Sequence, residues 1–122
     1  MDKITRVGPP EAIGVADGLY SFAVRLSEPP AGHWIYAFKL ATPVARDLDP
    51  ERVVVDPQQG LLFAAEESMV LAWINHIDLW IASANKQVAD DEAAEEKRRA
   101  ETQARGERDF LLSQINEKLK NL

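Results

Sequence analysis

The stretch EESMVLAWINHIDLWIASANKQV, residues 66–88, decides the fold. Val70, Trp73, Ile74, Ile77, Ile81, Ala84 and Val88 recur in it at intervals of three and four. At about 100° per residue they share one arc roughly 100° wide, with Met69 and Trp80 at its margins, which predicts an amphipathic helix. A helix with one apolar stripe requires a partner layer. Upstream, all seven prolines and five of the six glycines lie in the first sixty residues, the punctuation of short strands and turns.

In residues 19–27, Tyr20, Phe22, Val24 and Leu26 alternate with smaller or polar residues, the period of a half-buried strand. Residues 34–41 read the same way, with Trp34, Tyr36, Phe38 and Leu40 on one side, and the intervening Pro29-Pro30-Ala31-Gly32 reads as a turn. Together these predict a hairpin with an aromatic face. Residues 52–56 and 61–65 predict a second hairpin around Pro57-Gln58-Gln59-Gly60, and residues 4–7 are a candidate edge strand. The expected fold is α+β: an antiparallel β-meander of about four strands packed on one amphipathic helix and extended by a long C-terminal helix with a coiled-coil-like tip.

Downstream of the helix the composition changes. Residues 89–109 carry no apolar side chain larger than alanine, but place Glu95 before Arg99 and Glu101 before Arg105 at i,i+4, which predicts a polar helical arm. Residues 110–122 turn apolar again, with Leu112, Ile115, Leu119 and Leu122 at spacings of three, four and three and with Phe110 as an adjoining anchor. The expected organisation is therefore a globular domain over 1–88, an arm over 89–109 and an association helix over 110–122.

Charge and composition narrow the function classes. The net charge is −6, of which −2 falls up to Ala65 and −4 beyond, so nonspecific phosphate binding is disfavoured. Lys97-Arg98-Arg99 is the one dense basic run, and glutamates surround it. The absence of cysteine excludes disulfides and thiolate metal sites and accords with a cytoplasmic protein. No apolar run approaches the length of a membrane span, and no secretory leader is readable behind Met1.

Catalytic chemistry finds little support. No glycine-flanked serine, phosphate loop or paired histidines is present, and no cofactor is expected. His33 falls in the predicted hairpin turn, and His76, between Trp73 and Trp80, reads as a boundary residue beside indoles. The expected function is therefore non-enzymatic: an assembly or adaptor module whose C-terminal helix, through Phe110, Leu112, Ile115, Leu119 and Leu122, forms a homodimer or binds a protein partner. Two alternatives stand beside it. One is a small acidic inhibitor or immunity-type protein that neutralises a basic partner, and the other an enzyme using His76, Asp78 and Glu67.

Overall fold

The structure, a computed structural model, describes residues 3–44 and 48–122. It has an α+β architecture. Two strands, β1 (Glu11–Ala16) and β2 (Leu19–Val24), precede a short helix, α1 (Gly32–Lys39). A 3₁₀ turn at Pro50–Arg52 leads to β3 (Val54–Asp56) and β4 (Gly60–Ala65), and a second one at Glu67–Met69 leads to α2 (Val70–Leu119). The chain divides into two compact units, Met1–Ala89 and Asp90–Leu122, and α2 runs unbroken through the boundary.

The sheet of the first unit is antiparallel in the order β1-β2-β4-β3, two hairpins laid side by side along β2 and β4. The β1–β2 connection is Asp17-Gly18, with φ of 53° and 81°, the two positive values that a tight hairpin turn requires. In the β3–β4 turn the Asp56 carboxylate accepts from the backbone N–H of Gln58 (2.8 Å) and Gln59 (3.0 Å). Gly60 closes that turn at φ 95°, and a Cβ there would lie 2.1 Å from the carbonyl oxygen of Val24 on the neighbouring strand. Only glycine fits.

Residues 34–41 are the main departure from the sequence reading. They belong to α1 and its C-terminal turn, not to a strand, so β2 takes β1 as its hairpin partner instead. The buried side chains of this segment are Trp34, Ala37, Phe38 and Ala41, at i, i+3, i+4 and i+7, whereas Tyr36 and Leu40 are exposed. The alternation of large residues was incidental to the helical period that burial obeys. β1, which sequence did not single out, has all six residues exposed. Residues 4–7 contribute a single bridge, Arg6 to Leu26, and the expected strand at 52–56 begins as the 3₁₀ turn and pairs only from Val54.

One aromatic chain joins the elements of the core. Phe22 of β2 stacks on Phe63 of β4 (5.4 Å), and Phe63 on Trp73 of α2 (5.1 Å). Trp73 meets Trp80 edge-on (6.2 Å), Trp80 meets Phe38 of α1 edge-on (6.1 Å), and Phe38 stacks on Trp34 (5.4 Å). Ile74, Ile77, Ile81, Ala84 and Val88 complete the buried stripe of α2, and Trp80, placed at its margin by the sequence, is fully within it. Such rings each contribute beyond their buried area when offset or edge-on.

Polar groups tie the N-terminal segment to this core. The Asn85 side-chain oxygen accepts from the Ile4 backbone N–H (3.1 Å) and from Trp34 Nε1 (2.9 Å), while its amide nitrogen donates to the Ile4 carbonyl (2.7 Å). Arg6 donates twice to Asp78 (2.8 and 3.0 Å), a hydrogen bond that raises the guanidinium pKa above its ordinary value. Lys39 donates to the carbonyl of Val53 and to that of Glu51 (3.3 Å), and Trp80 Nε1 donates to Thr42 (3.2 Å).

Asn85→Leu would leave the Ile4 N–H and carbonyl and the Trp34 indole without partners, and is expected to remove on the order of 3 kcal/mol of stability in urea unfolding. Gly60→Ala, forced against backbone, is expected to lower the unfolding free energy by about 2–4 kcal/mol.

Candidate interaction surface

The second unit, Asp90–Leu122, is a single length of α2 ending at Leu119, with Leu122 N–H bonded to the Leu119 carbonyl in a closing turn (3.1 Å). Every residue from 89 to 122 is exposed. The acid-before-base spacing that favours helix here resolves as an ion pair between Glu95 and Arg98, at i,i+3 and 3.5 Å, not the expected Glu95–Arg99 pair. Gly106 lies inside the helix, and no atom stands within 4 Å of where its Cβ would be. The chain does not reverse there.

At about 100° per residue, Leu112, Ile115 and Leu119 fall on one arc about 60° wide, Leu111 extends it to roughly 100°, and Leu122 follows just beyond the last helical residue. Leu111, which the spacing of the other four does not include, lies within the stripe by helical geometry. Exposure of these five side chains runs from 52% at Leu119 to 97% at Leu122. Phe110 is also exposed, at 63%, but lies about 140° round the helix from Ile115. A single flat partner touching Ile115 cannot also cover Phe110, so Phe110 stands apart from the other four expected contact residues.

The first unit offers weaker candidates. His76 stacks on Trp80 (6.0 Å) with its Nδ1 buried and lacking a hydrogen-bond partner, and Asp78 is engaged by Arg6. Neither forms an acid–base pair with the other. His33 is exposed on the first turn of α1, and among the described residues no group of three His, Asp or Glu side chains is placed to hold a metal ion. On the sheet, a groove runs between the β1 bulge and the segments after β2 and β3, lined by Ile13, Ala23, Leu26 and Pro29, with Glu11 and Arg25 3.8 Å apart beside it. Its mouth is wide and its lining mixed, without the convergent polar groups of a small-molecule site. Among the described residues no helix is long and apolar enough to cross a membrane.

Because Gly106 occupies an open helical position, Gly106→Ala is expected to stabilise the local helix by about 1 kcal/mol, read as slower amide exchange around residues 100–112. Comparison with known proteins returns no match: no family model, no curated protein and no solved structure is significantly similar to this chain.

Proposed function

We propose that the chain is a non-enzymatic assembly module that joins to another polypeptide, in the simplest case a second copy of itself, through the C-terminal stripe of α2. One observation carries this reading: Leu111, Leu112, Ile115 and Leu119 share an arc of α2, with Leu122 just beyond its end, in a unit whose residues are all exposed. Scattered surface leucines need no explanation, but four along one arc with a fifth just past its end form a contiguous apolar patch of the kind that marks association sites.

The polar composition of residues 89–109 supports the same reading, since it confines apolar exposure in the second unit to the tip. A cytoplasmic setting accords with a chain lacking cysteine. The first unit adds an exposed edge strand, β1, as a second contact surface for whatever the assembly holds.

Truncation after Arg105 tests the proposal directly. The shortened protein is expected to keep its first unit folded and to remain monomeric in sedimentation equilibrium, while the intact chain gains mass as concentration rises. Ile115→Asp, which sets a charge in the middle of the stripe, is expected to weaken association by roughly tenfold or more. Equal masses for the intact and truncated forms across the concentration range would remove self-association.

A further inference from the structure

Resting on the reading that the stripe self-associates, we infer that the second copy binds antiparallel, tip over tip, with Leu112 layered on Leu122 of the second copy and Ile115 on its Leu119. The observation behind this is what occupies the same seam one and two turns earlier. In a two-stranded pair the seam repeats every seven residues. Leu112 and Leu119 are therefore preceded by Arg105 and Arg98, and Ile115 and Leu122 by Arg108 and Glu101. The helix continues without a break through these positions as far as Leu119, and Leu122 follows in the closing turn.

A parallel pair sets each seam residue against its own copy. The apolar layers would match, but Arg108 would face Arg108, Arg105 would face Arg105 and Glu101 would face Glu101, like charges meeting at each layer beyond Leu112. The antiparallel pair matches four layers, Leu112 with Leu122 and Ile115 with Leu119, each occurring twice. Its overlap then ends where the apolar residues end. Arg108, one turn further along the seam, falls beyond the end of the second copy's helix and so meets no like charge in the seam. In this arrangement Lys118 approaches its own copy at the flank of the seam, where a long stem can carry the ammonium outward into water.

The size of the contact sets its strength. Six half-exposed and two almost fully exposed leucine and isoleucine side chains at on the order of 100 Å² each bury about 800 Å² in total, below the standard interface and in the transient class. Dissociation at on the order of 100 µM is expected from such a contact, so the pairing is to be read at several hundred micromolar.

A chain without cysteine allows a single spin label to be placed at Gln103→Cys, an exposed position away from the seam. In the full-length protein, double electron–electron resonance is expected to give an inter-label distance of about 50 Å, since position 103 is fourteen residues from the midpoint of the overlap on each copy at roughly 1.5 Å per residue, with the lateral separation of the labels added. A distance near 25 Å, the lateral separation of two labelled parallel helices, would overturn the antiparallel assignment and leave self-association standing. Absence of dipolar coupling, together with a monomeric mass by sedimentation at the same concentration, would overturn both.

Discussion

The carboxamide of Asn85 is the interaction on which the first unit depends. Ile4 is 1% exposed, yet the segment around it has one isolated bridge to the sheet and no ladder to hold it there. A backbone segment buried that way needs a partner for both its N–H and its carbonyl. Asparagine, unlike any hydroxyl or carboxylate side chain, presents an amide donor and an acceptor oxygen in one plane, so it can bind the N–H and the carbonyl of one residue at once. The oxygen's second lone pair takes the Trp34 indole, bringing α1 into the same node. Three chain segments distant in sequence thus meet on one side chain of α2.

The aromatic chain explains why that node is placed where it is. Trp73 and Trp80, seven residues apart on α2, reach the sheet and α1 respectively, so the helix is the common wall for two different layers of cover. Gly60 fixes the remaining degree of freedom. Its carbonyl-close approach to Val24 lets β4 lie directly against β2, which puts Phe63 opposite Phe22 in register and aims the stacked pair at Trp73. The side-by-side hairpin order follows because the segment between β2 and β3 is occupied in forming α1, leaving β4 rather than the next strand in sequence to pair with β2.

Sequence patterning was informative wherever burial and hydrophobicity coincide over a long stretch. The stripe of α2 from Trp73 to Val88 met that condition, and so did β4 and most of β2, together with the α+β class they imply. α1 failed it because only two turns are present and its residues, Trp34, Ile35, Tyr36 and Phe38, are strand formers by propensity; tertiary burial along i, i+3, i+4 and i+7 overrode that preference. The signal available was Ala37 and Ala41, whose small size on the buried arc suits close approach to other elements. β1 failed it differently: its residues are all exposed, so selection for a buried face left no alternation to read, and Asp17-Gly18 was its one strong marker. At the tip the leucine and isoleucine spacing was legible, but separating Phe110 from the stripe required the helical period to be applied to an uninterrupted helix.

That continuity also explains how so polar a stretch stays helical. Starting a helix in water is unfavourable because several dihedrals are fixed for the first hydrogen bond, whereas each later residue adds a bond at little net loss. The residues of α2 from Trp73 to Val88 are held by burial, so propagation through residues 89–109 begins from a nucleus that already exists. One fixed end removes most of the nucleation penalty. Residues 110–119 are then helical before any partner arrives, with Leu111, Leu112, Ile115 and Leu119 already aligned. Association need not order a disordered tail, and that saving is what makes a contact of such limited area able to form at all.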